Sequence, residues 1–262
     1  MLKEDLKQDV EARVAFLRRA LAQAGAQGFV YGNSGGKDCT LVGILCKLAC
    51  ENTFGVCMPC ASSQNYGQDL RDGMLAAKAF GIETVTVDLT GTKEALMAAV
   101  TAAHPVAENA AVNIAPRLRM ATLYAVAQTR GALVAGTGNR SERYLGYFTK
   151  WGDGGVDLSP IGDLTKTQVY ALAAFLGVPR SILEAEPSDG LFENDRTDQM
   201  QIGATYPELE WAMDRVNEGR SAADFEGRQA EVMRIYAARH AANAHKMNPI
   251  PVCKIPEDFL RG

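Results

Sequence analysis

Residues 31–40 read Tyr31-Gly32-Asn33-Ser34-Gly35-Gly36-Lys37-Asp38-Cys39-Thr40. They follow a short apolar run, residues 28–31, that predicts a buried strand, and they precede a helix predicted over residues 41–49. A Ser-Gly-Gly turn between a strand and a helix presents backbone N–H groups at the start of the helix. Because glycines lack a Cβ atom, a polyanion can come close to such a turn. The stretch therefore predicts a loop that binds a phosphate chain.

This loop differs from a Walker A loop, because the spacing from the first glycine to Gly-Lys-Ser/Thr is absent. Asp38 comes directly after the glycines, where a carboxylate would repel phosphates. A divalent cation between the carboxylate and the phosphates removes that repulsion, and Mg²⁺ prefers such oxygen ligands. Asp38 therefore indicates a Mg²⁺-bound nucleotide. An ordinary glycine-rich turn with an Asp near a helix start is the alternative, since short motifs produce false positives.

The chain around this loop alternates strands with helices. Strands are predicted at 28–31, 53–58, 83–89 and 132–136, where apolar and β-branched residues cluster. The helices predicted between them lie at 41–49, up to residue 80, at 93–103 and at 113–129. This alternation predicts an α/β fold, a doubly wound parallel sheet flanked by helices with right-handed crossovers.

Ligands of such sheets bind beyond the carboxyl ends of the strands. The loop after the first strand and Thr137-Gly138-Asn139 after the fourth both lie at that edge. Two distant segments are therefore expected to form one site.

The rest of the chain is predicted to be mainly helical. An amphipathic helix is expected over 2–24, and further helices over 165–176, 207–217 and 221–245. Residues 139–164 are rich in glycine and predict a long loop, which in a compact domain is usually functional. Residues 186–204 are polar, which is compatible with a mobile segment. No domain boundary is evident, so residues 1–262 are expected to form a single domain.

Composition narrows the class of protein. The chain has 262 residues, 47% hydrophobic and 22% charged, as expected for a globular protein with a real core. Its net charge of −4 gives no reason to expect nucleic acid as a partner. The N-terminus is too polar for a secretory signal, and no apolar run approaches the roughly 18 residues of a membrane span. A cytoplasmic protein without a membrane partner is predicted.

The chain contains six cysteines, and two of them form a C-x-x-C pair, Cys57 and Cys60. A structural zinc site would need a second pair or suitably spaced histidines, which the sequence lacks nearby. In a reducing compartment, free thiols are the default. Buried or idle thiols are therefore the main expectation, with a redox or cluster-binding role as the alternative.

Ser34-Gly35-Gly36-Lys37-Asp38 resembles the SGGxD(S) loop of the pyrophosphate-loop ATP pyrophosphatases, which cleave ATP to AMP and pyrophosphate. Three later stretches resemble the core of the NAD synthetase family within that group. They are Gly136-Thr137-Gly138-Asn139-Arg140-Ser141-Glu142, the run 146–157 from Gly146 to Asp157, and the run 160–170 from Pro160 to Tyr170. The resemblance extends from about residue 10 to about residue 250. It implies a Rossmann-like fold of the adenine nucleotide alpha hydrolase type.

The resemblance implies a two-step reaction, in which the carboxylate of deamido-NAD is adenylated by ATP and ammonia then displaces AMP. Asp38 and Lys166 are the implied catalytic residues, and Asp38 and Glu142 the implied Mg²⁺ ligands. The implied ATP contacts are Gly32, Asn33, Ser34, Gly35, Gly36, Lys37, Asp38, Cys39, Thr137, Lys166 and Ser188. The implied deamido-NAD contacts are Arg117, Lys150, Asp157, His245 and Lys246. Arg119 also falls where the family places functional groups.

The resemblance further implies a homodimer, with free ammonia or ammonia from a separate protein as the nitrogen donor, because no residues remain for a glutaminase domain. Three positions depart from the family pattern. Cys39 replaces a usual Ser, Lys37 occupies a position that is often neutral, and Ser188 replaces a commoner Thr.

Lys37 within an SGGKD loop also motivates a rival hypothesis, a tRNA-thiolating enzyme that uses Cys57 and Cys60. The net charge and the lack of a basic, aromatic-interleaved patch argue against it. A non-catalytic nucleotide-binding module is a third possibility, since a fold does not determine a function. Such a module would be expected to lose the Mg²⁺ carboxylates, yet Asp38 and Glu142 are both present.

Overall fold

The computed structural model describes residues 3–62, 65–185 and 197–255. Its strands are β1 (Phe29–Gly32), β2 (Thr53–Cys57), β3 (Glu83–Thr86) and β4 (Leu133–Val134). The helices in the first half are α1 (Lys3–Ala24), α2 (Lys37–Ala49), α3 (Leu70–Phe80), α4 (Thr90–Ala103), α5 (Glu108–Val112) and α6 (Ile114–Arg130). Those in the second half are α7 (Arg140–Leu145), α8 (Lys166–Phe175), α9 (Arg180–Glu184), α10 (Asp198–Ile202), α11 (Tyr206–Asn217) and α12 (Gly227–Met247).

The strands form one parallel sheet in the order β3-β2-β1-β4, so the predicted α/β fold class is confirmed. β1 lies inside the sheet, with Phe29 opposite Thr53 of β2 and Leu133 of β4. All strands run the same way, so their carboxyl ends share one edge. The loop after β1 and the loop after β4 therefore meet there, as expected.

Helices cover both faces of the sheet, and β1 shows why. Its side chains alternate between the faces, as strand geometry requires. Phe29 and Tyr31 pack into a core with α1, α2 and α8, whereas Val30 packs into a second core with residues of β2 and α6. The amphipathic α1 is confirmed, since Leu6 and Leu17 are buried in the first core and Val14 is also buried.

A third hydrophobic cluster lies away from the sheet and joins α7, α11 and α12. Its fully buried members include Leu145, Leu209 and Met233. This cluster holds α7 against α11, which matters for the site because α7 follows β4 along the chain.

Some predicted boundaries were wrong. β3 ends at Thr86, and β4 comprises only Leu133–Val134, with Ala135 extending it by a single bridge to Leu158. The predicted loop 139–164 contains α7, whose short capped turn has too few residues for helical periodicity to be seen. Within the polar stretch 186–204, residues Asp198–Ile202 form α10. Residues 186–196 lie outside the described residues. None of the described helices has the length and apolar composition needed to cross a bilayer.

Candidate active site

The loop after β1 has the backbone geometry of a phosphate cradle. Gly35 has a φ of +79°, a left-handed conformation that side chains other than glycine rarely adopt. A Cβ atom there would lie 2.3 Å from the carbonyl oxygen of Asp69. Gly36 precedes α2 as its N-cap without a side-chain hydrogen bond to the first turn, which leaves that end of α2 suited to an anion.

Two polar side chains of the loop point inward and shape it. Asn33, 2% exposed, donates to the carbonyl of Gly73 at 2.8 Å and accepts from the N–H of Gly35 at 3.3 Å. The Cys39 thiol donates to the carbonyl of Gly36 at 3.1 Å and accepts from the Ser34 hydroxyl at 3.3 Å. Burial raises the pKa of Cys39, so this residue remains a thiol inside the loop.

Lys37 is buried rather than directed to solvent. It is 6% exposed, its Nζ donates to the carbonyl of Ala185, and it lies 4.6 Å from the centre of the Tyr170 ring. Burial, and then the positive charge of Lys166, lower the pKa of Lys37. The phosphate loop thus carries a desolvated cation at the first residue of α2.

Lys166 brings the two predicted carboxylates together. Its Nζ donates to Asp38 Oδ2 at 2.6 Å and to Glu142 Oε1 at 3.0 Å. Asp38 lies at the start of α2, directly after the loop glycines, Glu142 lies in α7, and Lys166 is the first residue of α8. These segments are distant in the sequence, and the fold makes the three residues neighbours. We call Asp38, Glu142 and Lys166 the acid–lysine cluster.

Asn139 completes this cluster and was not among the predicted site residues. Its Nδ2 donates to Asp38 Oδ1 at 3.0 Å, and its side chain is fully buried. Asn139 and Glu142 also form the capping box of α7, in which each side chain bonds the other's backbone N–H. The Asn-x-x-Glu spacing is the signal that could have revealed this pair from the sequence.

The electrostatics of the cluster favour the charged lysine. Burial alone would lower the pKa of the Lys166 ammonium, but the carboxylates of Asp38 and Glu142 outweigh burial and hold that pKa well above its ordinary value. Burial raises the pKa of Glu142, against the opposing effect of Lys166. A buried ammonium therefore sits beside the phosphate loop, held by two acids.

A cavity of about 600 Å³ opens in front of the loop and the cluster. The predicted ATP residues that line it are Gly32, Asn33, Ser34, Gly35, Gly36, Lys37, Asp38, Cys39, Thr137 and Lys166, joined by Glu142. The structure thus brings together all of the predicted ATP contacts among the described residues. Ser188 lies outside the described residues.

The cavity wall includes two further residues of note. Asp198, 4% exposed, accepts from the Tyr206 hydroxyl at 2.7 Å and from the Tyr147 hydroxyl at 3.4 Å. Arg119, singled out above, donates from Nε to the carbonyl of Met58 at 3.1 Å. Asp198 was missed because the polar stretch that contains it has no recognisable pattern.

The predicted dinucleotide contacts mostly lie beside the cavity rather than in its wall. Lys246 lines the cavity and donates to the carbonyls of Gly146 and Phe148, each at 2.9 Å. Burial lowers the pKa of Lys246.

Three more of these residues form a contact chain next to Lys246. Lys150 Nζ donates to the carbonyl of His245 at 2.6 Å, and Arg117 donates to the carbonyl of Lys150 at 3.4 Å. Asp157 is held separately, accepting from the Tyr124 hydroxyl at 2.9 Å and from the N–H of Val134 at 2.8 Å.

The oxygen atoms of Asp38 and Glu142 fit a Mg²⁺ ion that also binds a nucleotide. Among the described residues there is no group of three or more acids, histidines or cysteines that could hold a metal by itself. Mg²⁺ commonly binds through one or two carboxylates plus substrate phosphates, which is what this pair beside a phosphate loop offers. The residues therefore fit a Mg²⁺–nucleotide complex better than a stand-alone metal site.

Cys57 and Cys60 lack the properties of reactive thiols. They are 2% and 4% exposed. Burial raises the pKa of Cys57 to about 12 and also raises that of Cys60. A thiol that transfers sulfur must be accessible as a thiolate, so the tRNA-thiolation hypothesis is not favoured.

A parallel sheet with a glycine-rich phosphate loop after its first strand and an acid–lysine cluster at the same edge defines a nucleotide-binding α/β protein of the pyrophosphate-loop class. The family model described as NAD synthase matches residues 9–250. The chain belongs to this family.

Relatives and solved structures agree with that assignment. The chain is 42% identical to an NH(3)-dependent NAD(+) synthetase of Carboxydothermus hydrogenoformans over 80% of this chain and 86% of that protein. It is 37% identical to one of Archaeoglobus fulgidus over 94% and 96%. The structure of an NMN synthetase from Francisella tularensis superimposes with a TM-score of 0.85 at 31% identity, covering 95% of this chain and 99% of the other. An NH3-dependent NAD synthetase from Campylobacter jejuni gives a TM-score of 0.76 at 25% identity with the same coverage.

Proposed function

We propose that this protein is an ammonia-dependent NAD synthetase, a ligase that amidates deamido-NAD to NAD and converts ATP to AMP and pyrophosphate. The observation that carries the proposal is the acid–lysine cluster, which lies against the phosphate loop inside a cavity of about 600 Å³. Transfer of an adenylyl group needs charge neutralisation and alignment of the reacting atoms more than a protein nucleophile. This cluster and loop provide both.

In the first step, the nicotinate carboxylate of deamido-NAD attacks the α-phosphorus of ATP and pyrophosphate leaves. The backbone of residues 34–37 binds the leaving pyrophosphate, and Lys166 stabilises the charge that develops on the phosphate oxygens. Asp38 and Glu142 would hold Mg²⁺, which would neutralise phosphate charge when bound. Thr137, which lines the cavity, contacts the ATP.

In the second step, ammonia attacks the carbonyl carbon of the adenylated carboxylate, AMP leaves with the bonding electron pair, and one proton of the attacking ammonia is released to solvent. Arg117, Lys150, His245 and Lys246 bind the dinucleotide, since their contact chain borders the cavity and carries cations suited to a pyrophosphate and a carboxylate. Asp157 accepts hydrogen bonds from ribose hydroxyls.

The functional unit in this proposal is a homodimer of single-domain chains. α4 supports it, since none of its residues is buried and Leu96 and Val100 are 40% and 39% exposed. An apolar helix face left uncovered in the monomer is typical of an interface. All six cysteines are free, which suits a reducing compartment, and we place the enzyme in the cytoplasm.

Product analysis tests the proposal. Purified protein is incubated with ATP, Mg²⁺, deamido-NAD and ammonium chloride, and NAD, AMP and pyrophosphate are quantified. We expect all three in equal amounts, and none when glutamine replaces ammonium. Lys166→Met should lower kcat by about 100- to 1000-fold, because a donor aimed at developing phosphate charge is lost. Failure of the unmodified enzyme to form either NAD or AMP would reject the proposal.

Nicotinate mononucleotide is the competing substrate, because one structural relative is named an NMN synthetase. The two substrates differ by an AMP moiety, so the comparison of their kcat/KM values decides between them. A higher kcat/KM for deamido-NAD supports NAD synthesis, and a higher value for the mononucleotide makes the enzyme an NMN synthetase with the same adenylation chemistry.

A further inference from the structure

Glu210 of α11 lies where two helices of the site begin. Its Oε1 accepts from the Ser141 hydroxyl at 3.0 Å and from the backbone N–H of Thr167 at 3.2 Å. Its Oε2 accepts from the Thr167 hydroxyl at 2.5 Å. Ser141 belongs to α7 and Thr167 to α8, so one carboxylate links the starts of both helices.

Ser141 extends this link to the catalytic lysine. Its side chain is buried, at 3% exposed, and its hydroxyl oxygen accepts from the backbone N–H of Lys166 at 3.1 Å. A serine hydroxyl has a single hydrogen, and here that hydrogen is donated to Glu210. Glu210 therefore orients the hydroxyl so that its lone pairs face Lys166. The next residue after Ser141 is Glu142.

α11 also reaches the far end of the Lys166 side chain. Tyr206 lies one turn before Glu210, and its ring centre is 5.2 Å from Lys166 Nζ. The Tyr206 hydroxyl is fixed by its hydrogen bond to Asp198 at 2.7 Å. The same helix thus contacts the backbone of Lys166 through Ser141 and its ammonium through Tyr206.

We propose that Glu210 is a positioning residue of the reaction: through Ser141 and Thr167 it fixes α7 against α8, and thereby the Glu142 carboxylate against the Lys166 ammonium. Glu210 itself touches no reacting atom. The inference rests on the proposed function, because it assigns the consequence of this arrangement to turnover.

Geometry is the reason that such a link matters. The separation of 3.0 Å between Lys166 Nζ and Glu142 Oε1 depends on where α7 and α8 begin. A displacement of about 1 Å in an active site can cost about 100-fold in rate, even when its cause is remote. Loss of Glu210 should therefore act on kcat. The dinucleotide contacts proposed for Lys150 and His245 do not pass through Glu210, since Lys150 Nζ donates to the His245 carbonyl, so KM for deamido-NAD should stay nearly unchanged.

The experiment compares Glu210→Ala with Glu208→Ala. Glu208 lies on the same helix and also bonds a threonine at a helix start. Its carboxylate accepts from Thr205 and from Arg228, so its hydrogen bonds go to α11 and α12 rather than to α7 or α8. We expect Glu210→Ala to lower kcat by about 10- to 100-fold. The KM for deamido-NAD should change less than about threefold, since the residues proposed to bind it are held by hydrogen bonds that do not involve Glu210. Glu208→Ala should lower the thermal midpoint at least as much while kcat stays within about twofold, since it acts on stability alone.

Glu210→Gln is the conservative variant. A glutamine carbonyl can still accept from Ser141 and from Thr167, so this variant should recover most of the kcat lost in Glu210→Ala. Ser141→Ala breaks the same link from its other end without removing an acid. The double variant Ser141→Ala/Glu210→Ala should then be no worse than the poorer single variant, because residues acting through one link are not additive. Ser141→Ala also replaces Glu210→Ala as the test if that variant does not fold.

Each outcome either supports or overturns the positioning role of Glu210. Equal kcat losses in Glu210→Ala and Glu208→Ala, no recovery in Glu210→Gln, or additive losses in the double variant would overturn the positioning role while leaving the proposed function intact. An unmodified enzyme that makes no amidated product rejects the proposed function and this inference with it. A selective loss of kcat, with recovery by glutamine, supports the inference.

Discussion

At residue 35 the backbone requires glycine for two independent reasons. Its φ of +79° is strained for any residue with a Cβ atom, and that atom would meet the Asp69 carbonyl at 2.3 Å. Gly36, the next residue, has neither restriction, since a Cβ there would lie 3.5 Å from Ser34 Oγ. The two glycines of the loop are therefore unequal, which the sequence alone does not reveal.

We expect Gly35→Ala to lower the free energy of unfolding by about 1–3 kcal/mol, because it places a side chain in a left-handed conformation against a carbonyl. It should also weaken ATP binding at least tenfold in titration calorimetry, since the loop must shift. Gly36→Ala is the matched control, with a smaller loss of stability in urea unfolding. Equal effects of the two variants on stability would contradict this reading of the loop.

The side chains around the loop show what spacing could and could not predict. The sequence placed Lys37 and Cys39 in the loop but left their orientation open. Lys37 is in fact buried against Tyr170, and Cys39 is bonded within the loop. Those orientations depend on residues far along the chain, such as Ala185 and Tyr170, so no local pattern encodes them.

At the scale of elements, α1 is fastened to the segment before α8 by one arginine. Arg13 is 8% exposed and donates to the Pro160 carbonyl at 2.6 Å and to Asp163 at 2.6 and 3.0 Å. This segment leads directly to Thr165, the N-cap of the helix that begins with Lys166. The contact therefore joins the first helix of the chain to the approach to the site.

Arg13→Met is expected to lower the free energy of unfolding by about 2 kcal/mol, because a buried carbonyl and a carboxylate lose a charged donor. Urea unfolding measures this directly. Arg18→Met is the control on the same helix, since Arg18 also donates to backbone carbonyls, those of Leu48 and Ala49, but at an exposed position. The control should cost less than about 1 kcal/mol. If Arg18→Met lowers the free energy of unfolding as much as Arg13→Met does, burial does not determine the size of the loss.

α11 and α12 are joined by a second ion pair, between Glu208 and Arg228, with the closest atoms 2.8 Å apart. The hydrogen bond from Arg228 lowers the pKa of Glu208 from its ordinary value near 4.5 to about 2. The folded state therefore holds the charged carboxylate to lower pH than the unfolded chain does. The stabilisation is present above about pH 4.5 and disappears as the pH falls towards about 2.

The stability difference between the unmodified protein and Glu208→Gln should accordingly shrink as the pH is lowered from 6 towards about 3. Because the Glu208 side chain is 33% exposed, solvent screening limits the difference at neutral pH to about 1 kcal/mol. Denaturant unfolding at a series of pH values measures it. If the stability difference between the two proteins grows on acidification, the pKa of Glu208 is not lowered in the folded state.

At the scale of the whole molecule, the uncovered face of α4 is the feature that the monomer leaves unexplained. Leu96 and Val100 lie one turn apart on this face and are both well exposed. If a second copy covers them, the double variant Leu96→Asp/Val100→Asp should convert a dimer to a monomer, because each charge would be buried without a partner. Sedimentation velocity measures the change in mass.

Leu48 on α2 serves as the control, because it is 47% exposed but lies on a different helix. Leu48→Asp should leave the mass unchanged. A monomeric unmodified protein, or a double variant that remains dimeric, would reject this interface.

The features that could be predicted from the sequence are those that local physics encodes. Alternating strand and helix patterns predicted the parallel sheet, two glycines after the first strand predicted the phosphate loop, and the motif stretches predicted the family. Sterics, periodicity and turn chemistry act within a few residues, so they can be read along the chain.

Which side chains meet in the site depends on the packing of the folded chain. Asp38, Glu142 and Lys166 come from three distant segments, and their hydrogen bonds of 2.6 and 3.0 Å exist because helices pack around the sheet. The hydrogen bonds of Glu210 to Ser141 and Thr167 could not be predicted from the sequence, in which Glu210 is one of several acidic residues on α11. Contacts between distant segments depend on how whole elements pack, and no spacing within a single segment records that packing.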